Sequence, residues 1–222
     1  MRGRLLLAPL ALLAACQQQA AAESAALAPP PAAEAREAPG RHVAVFAGGC
    51  FWGIEAVFSH LRGVTSAVTG YHGGTRTTAD YEQVSTGRTG HAESVRVTYD
   101  PAVIRYDQLL QVFFSVGADP TLVNRQGPDE GTQYRSALVP MDAEQRRVAE
   151  AYLRQLAASG RYHAPIATRI EPYRAFYPAE DYHQDFAAVN PTHGYILRWD
   201  APKVAALKRL FPALYKPAFT RG

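Results

Sequence analysis

Gly48-Gly49-Cys50-Phe51-Trp52-Gly53 separates two different hydrophobic patterns. Before it, residues 43–47 form a short apolar run; after it, Ile54, Val57, Phe58 and Leu61 recur at helical spacing. The stretch reads as a strand, a glycine turn and a helix N-terminus, with Cys50 at the junction. Unsatisfied N–H groups and the positive end of a helix dipole favour a thiolate at such a place, so the residue expected there is a nucleophile. Phe51 and Trp52 would wall an apolar pocket beside the sulfur, and the glycines would let a substrate approach the backbone. A buried structural cysteine in an aromatic cluster fits the same six residues, because free cysteine is among the most buried residue types.

Downstream, Gly63 ends the helix, residues 64–69 alternate as a second strand, and Gly70-Tyr71-His72-Gly73-Gly74 breaks it. A polar, glycine-punctuated loop over residues 75–90 carries Tyr81 and is long enough to be functional. Residues 93–99 alternate again. Residues 106–116 place Leu109, Leu110, Phe113 and Phe114 on one helical face. Gly127, Pro128 and Gly131 forbid regular structure over residues 119–135, residues 136–140 form a fourth strand, and Asp142 caps a helix to about Ser159. Residues 166–170 read as an added strand, followed by a tyrosine-rich tail through Phe219. The order strand, helix, strand, strand, helix, strand predicts an α/β (α+β) two-layer sandwich. Its core is a ferredoxin-like split βαβ unit with helices on one face, followed by added C-terminal segments.

The 222 residues, 47% hydrophobic and 19% charged, have the composition of a soluble globular protein with room for one full core. A formal charge of +3, two units of which come from Arg2 and Arg4, gives no footprint for nucleic acid. No phosphate loop and no metal-ligand spacing appears among seven histidines and two cysteines, so no metal or bound cofactor is expected.

The N-terminus reads as an address. Basic residues 1–4 and an apolar stretch over residues 5–15, too short for a permanent span, form a secretory signal. Leu13-Ala14-Ala15-Cys16 resembles a bacterial lipobox, which implies lipidation of Cys16 and membrane attachment through that lipid. An ordinary signal peptide with an incidental cysteine is the alternative. By the same resemblance to bacterial lipoproteins, Gln17 rather than Asp implies the outer membrane, so a periplasm-facing lipoprotein of the bacterial envelope is expected. Residues 16–40, rich in Ala and Pro, read as a disordered tether to a domain over residues 41–222.

Taken together, Gly49-Cys50-Phe51-Trp52-Gly53, Gly70-Tyr71-His72-Gly73-Gly74, Tyr81 ahead of Gly90-His91-Ala92-Glu93, Asn124-Arg125-Gln126-Gly127, Asp129, Gly131-Thr132-Gln133-Tyr134-Arg135-Ser136 and Tyr182-His183-Gln184 resemble the methionine sulfoxide reductase A family. The resemblance implies reduction of the S epimer of methionine sulfoxide, free or in proteins. It makes Cys50 the attacking nucleophile and Glu93 the acid that protonates the sulfoxide oxygen. Tyr81 and Tyr134 would donate to that oxygen, Phe51 and Trp52 would receive the substrate methyl, Asp129 would bond substrate backbone or water, and His183 would act at the edge of the site. Ala118, Pro128 and Glu130 depart from common family residues at positions to which no chemistry is assigned.

Many relatives resolve the oxidised nucleophile with C-terminal cysteines, and none follows Cys50 here. A lipidated Cys16 is a thioether and cannot exchange. A monomeric one-cysteine enzyme is therefore expected, its sulfenic acid reduced by an external thiol: a thioredoxin-like protein, or dithiothreitol in vitro. The alternatives are a cysteine hydrolase, with His91, His183 or His193 as base, and a thiol peroxidase, whose usual Pro-x-x-x-Thr/Ser-x-x-Cys pattern is missing before Cys50.

Overall fold

The computed structural model describes residues 25–222; the expected signal segment and Cys16 lie outside the described residues. The strands are β1 (His42–Gly48), β2 (Val64–His72), β3 (Ala92–Tyr99), β4 (Arg125–Gln126), β5 (Asp129–Glu130), β6 (Ser136–Val139), β7 (Arg169–Ile170) and β8 (Phe176–Pro178). The helices are α1 (Phe51–Ser59), α2 (Tyr81–Val84), α3 (Tyr106–Val112), α4 (Ala143–Ala158), α5 (Phe186–Val189) and α6 (Ala201–Leu210).

Six strands form one sheet in the order β7-β6-β1-β3-β2-β8, with β4 and β5 as a separate hairpin. The four central strands pair antiparallel, and their order, fourth-first-third-second, is that of the ferredoxin-like core. Strand pleating divides the residues between two faces. Ala44, Phe46, Val95, Val97 and Tyr99 enter the main core beneath the helices, while Val45, Val139 and Phe176 form a small cluster on the opposite face. Phe46 packs its ring 4.7 Å from Phe58 of α1 and 5.3 Å from Phe113.

Several expectations shift in detail. Gly70 does not break β2, which runs on to His72. A side chain at Gly70 would meet Phe176 at 2.4 Å, so the glycine lets β8 pair along that edge. The helix expected over residues 106–116 is α3 followed by a π-helical turn, Phe113–Gly117. The polar stretch after it is not wholly irregular, because Gly127 (φ +55°) turns the β4–β5 hairpin. In the tail, which carried no expected helix, the π-helical turn Ile196–Asp200 leads into α6, with Pro202 in its first turn where the missing N–H costs nothing.

The expectation of a free tether fails for residues 25–40, which pack along α3 and α4. Ala28 and Ala35 are buried. Ala28 N–H donates to Ser115 Oγ at 2.8 Å, Ala35 N–H to Asp107 Oδ1 at 2.9 Å, and Tyr152 donates to the Pro29 carbonyl at 2.7 Å. Glu37 accepts the first N–H of α3, from Tyr106, at 3.0 Å and also the Tyr99 hydroxyl. An Ala/Pro chain shows no apolar periodicity, yet its small side chains let its backbone approach the helices and bond to them. Removing residues 25–40 orphans these partners. At about 1 kcal/mol per lost buried bond and about 2–4 °C per kcal/mol for a chain of this size, the unfolding midpoint of residues 41–222 should lie roughly 10 °C below that of residues 25–222. Calorimetry checks this, and equal midpoints would contradict it.

Candidate active site

Cys50 caps the N-terminus of α1 and is 8% exposed. The glycines around it are required by the protein's own packing. Gly49 holds φ +90°, and a Cβ there would meet Gln126 at 2.5 Å; one at Gly48 would meet the Phe113 ring at 2.7 Å. A Cβ at Gly53 would lie 2.1 Å from Asp200 Oδ1 and 2.8 Å from Lys203 Nζ. The expected close approach of substrate to these glycines is therefore replaced by close approach of side chains that hold the turn.

Glu93 reaches this turn from β3. It shares strand parity with Val95, Val97 and Tyr99, so its side chain points into the core face and is 2% exposed. Its Oε2 accepts the Phe51 N–H at 2.9 Å, one of the amides a helix start leaves unpaired. Burial pushes its pKa up to about 8; the Phe51 N–H pulls the other way, and Asp129 and Asp200 add to the rise. At neutral pH the carboxyl keeps its proton.

The same environment overturns the expected resting thiolate. Burial raises the Cys50 thiol well above its ordinary value, with the Glu93 and Asp200 charges adding; Lys203 and the Trp52 N–H oppose this without reversing it. A helix start contributes about 1 kcal/mol, whereas full burial moves a pKa by several units. Desolvation wins.

Tyr81 begins α2, whose cap Asp80 accepts the Gln83 N–H at 3.0 Å. Tyr134 ends a 3₁₀ turn, Thr132–Tyr134, fixed from the next residue. Arg135 donates to Thr132 O at 3.0 Å, Gly90 O at 3.0 Å and His91 O at 3.1 Å, and pairs with Glu171 at 2.7 Å. Among the described residues neither tyrosine hydroxyl has a hydrogen-bond partner. Burial raises both phenols, and the charges of Glu93 and Cys50 add to the effect.

Phe51 is buried, 5.0 Å from the His183 ring and 5.9 Å from Tyr71. Trp52 is clamped: it stacks on Phe186 at 3.8 Å, meets Tyr195 edge-on at 5.9 Å, and donates from Nε1 to His183 Nδ1 at 3.2 Å. His183 is 2% exposed and lowered by burial, with Glu180 opposing, so it is a neutral ring that orients Trp52. Asp129 accepts the Tyr195 hydroxyl through Oδ2, a protein contact in place of the expected substrate or water contact at that oxygen. Burial raises Asp129, against the Tyr195 bond and Lys203.

Sequence reasoning passed over Tyr195, Asp200, Lys203 and Trp199. A cavity of about 50 Å³ beside Cys50 is lined by Gln126, Gly127, Asp129, Tyr195, Trp199 and Lys203. Lys203 lies 3.4 Å from Asp200, which is fully buried. The run Asp200-Ala201-Pro202-Lys203 carried a legible helix-start signal, acid then proline, that would have placed Lys203 in a first turn. Among the described residues no histidine is hydrogen-bonded to the sulfur: His91 bonds Gly74 N and Thr75 O, His183 bonds Trp52, and His193 packs edge-on against Trp52 and Phe186. A hydrolase dyad is thereby disfavoured.

A split βαβ domain whose one cysteine among the described residues is buried at a helix start tied to a protonated carboxyl fits a cysteine-dependent redox enzyme. The profile of the peptide methionine sulfoxide reductase family matches residues 42–213, and the chain belongs to that family, oxidoreductases that reduce methionine sulfoxide. It is 57% identical over 182 residues to peptide methionine sulfoxide reductase MsrA 2 of Mesorhizobium japonicum, covering 82% of this chain and 93% of the relative. It is 54% identical over 174 residues to MsrA 2 of a Synechocystis species, covering 78% and 81%. Among solved structures, reduced Mxr1 of Saccharomyces cerevisiae superposes with a TM-score of 0.61 at 34% identity, over 71% of this chain and 91% of that one. Methionine sulfoxide reductase A of Corynebacterium diphtheriae gives 0.58 at 37%, over 69% and 77%.

Gly53→Ala tests the packing of the turn. The added methyl displaces the Asp200–Lys203 pair, so stability measured by urea unfolding should fall by about 2 kcal/mol, with activity falling alongside. A variant of unchanged stability would contradict the assigned packing.

Proposed function

We propose that the chain is a peptide-methionine (S)-S-oxide reductase that works through a Cys50 sulfenic acid and an external thiol. One observation carries this reading: Glu93, whose carboxyl keeps its proton up to about pH 8, is hydrogen-bonded to the N–H of the residue that follows Cys50 at the start of α1. The sulfoxide oxygen lies among Glu93, Tyr81 and Tyr134, its methyl against Phe51 and Trp52, and the peptide leaves past Asp129 and Tyr195. With oxygen, methyl and chain direction each assigned, only one epimer presents its sulfur to Cys50.

Glu93 transfers its proton to the oxygen as Cys50 attacks the sulfoxide sulfur, and the thiol proton returns to the carboxylate. The S–O bond of the substrate breaks and an S–O bond to Cys50 forms. Cys50 is oxidised by two electrons to the sulfenic acid and methionine is released. A first external thiol then forms a mixed disulfide with loss of water, and a second restores Cys50 as an external disulfide leaves. The donor is a thioredoxin-like protein in the cell, or dithiothreitol in the assay.

The N-terminal signal and Cys16 favour a periplasm-facing lipoprotein, in the outer membrane, that repairs oxidised envelope proteins. Palmitate labelling of the full chain, lost in Cys16→Ser, tests the anchor.

Given racemic N-blocked methionine sulfoxide and dithiothreitol, the protein should consume only the S epimer, with no turnover in Cys50→Ser and a loss of about 10²–10⁴-fold in Glu93→Gln. Consumption of neither epimer would sink the reading. Because Glu93 acts in its protonated form, the rate of the oxygen-transfer step should fall as pH rises through about 8. Glu93→Gln should lose that limb; a wild-type rate still climbing at pH 9 would count against Glu93 as the acid.

A further inference from the structure

Glu180 carries no role in the reading above, yet its carboxylate joins two parts of the site. Oε1 accepts the backbone N–H of Tyr81 at 2.8 Å, and Oε2 accepts the Tyr71 hydroxyl at 2.8 Å. The Tyr81 N–H is the first of α2, an amide that no carbonyl within the helix can satisfy. At four residues, α2 is too short to hold its own orientation. Tyr71 is fully buried in β2, pairs directly across from Glu93, and lies against Phe51.

The same turn of chain fixes the Tyr81 ring from the side. Glu180 caps the 3₁₀ turn Asp181–His183, and the Tyr81 ring lies 4.5 Å from His183. Burial would raise Glu180, but its bonds to Tyr81 and Tyr71 more than offset that and leave it below the usual carboxylate range, hence ionised. A charged acceptor makes both bonds stronger than neutral ones.

We propose that Glu180 is a positioning residue for the reduction: by tying the start of α2 to Tyr71, it sets the Tyr81 hydroxyl at the sulfoxide oxygen beside Glu93. The inference rests on Tyr81 being an oxygen donor, and it assigns that hydroxyl's placement to one carboxylate 99 positions further along the chain.

A double-mutant cycle on the full chain separates this from a structural role. The readout is the single-turnover rate of methionine formation, which isolates oxygen transfer from recycling. Glu180→Gln and Tyr81→Phe should each slow that rate about tenfold, and the double variant should be no more than about twofold slower than Tyr81→Phe alone. An equal Glu180→Gln penalty in both backgrounds, or an unchanged rate in Glu180→Gln, overturns the proposal while leaving Tyr81 in place. A full rate in Tyr81→Phe instead overturns the donor reading itself, and the proposal with it. Tyr71→Phe cuts the same tie at its other end and should slow the rate severalfold, a loss that shrinks to within about twofold in the Tyr81→Phe background; an unchanged rate in Tyr71→Phe overturns the tie to Tyr71. Should Glu180→Gln fail to fold, Glu180→Asp, which keeps the charge and shortens the reach, is read in the same cycle.

Discussion

The hydrogen bond from the Phe51 N–H to Glu93 Oε2, 2.9 Å long, is the constraint on which the site depends. Its donor is an amide of the helix capped by Cys50; its acceptor hangs from β3, one of the two middle strands of the sheet. One bond thus ties Glu93 to the turn that carries Cys50. It also differentiates the two carboxyl oxygens, since Oε2 is occupied as an acceptor and Oε1 is left to carry the proton. Burial of the whole group supplies the rest, because a charged carboxylate there would lose far more hydration than a single amide returns.

Around Cys50 the structure gathers Glu93, Asp129 and Asp200 against Lys203. Burial raises all three acids, and Glu93, pushed up to about 8, keeps its proton at neutral pH. Thiol and acid then hold their protons together. In the proposed reaction, a sulfoxide oxygen entering between Glu93 and the two phenols draws positive charge onto its sulfur as it is protonated, and the thiolate forms at the moment there is a target for it. This explains how a buried cysteine without a histidine base can be the nucleophile, and why the energy is placed in donors for the oxygen.

The core of this arrangement was legible in the chain because it is local. Gly48 to Gly53 marks the strand-to-helix turn, and the alternation that buries Val95 and Val97 also buries Glu93. What escaped is set by contacts distant in sequence. Residues 25–40 lack hydrophobic periodicity, and only the facing groups, Ser115, Asp107 and Tyr152, show that their backbone has partners. Tyr195 looks like a packing residue until Asp129, 66 positions earlier, takes its hydroxyl. Lys203 and Asp200 matter because Gly53 leaves room for them. The Cys50 thiolate was misjudged for a different reason: the helix start is visible in sequence, whereas the depth of burial that outweighs it is not.

The most direct measurement is of the proton on Glu93. Infrared difference spectroscopy of the resting protein against Glu93→Gln, or a ¹³C-carboxyl NMR titration, reports it without turnover. The account predicts a protonated carboxyl at pH 7 that ionises near pH 8. A carboxylate already ionised at pH 6, titrating in the ordinary glutamate range, would contradict it.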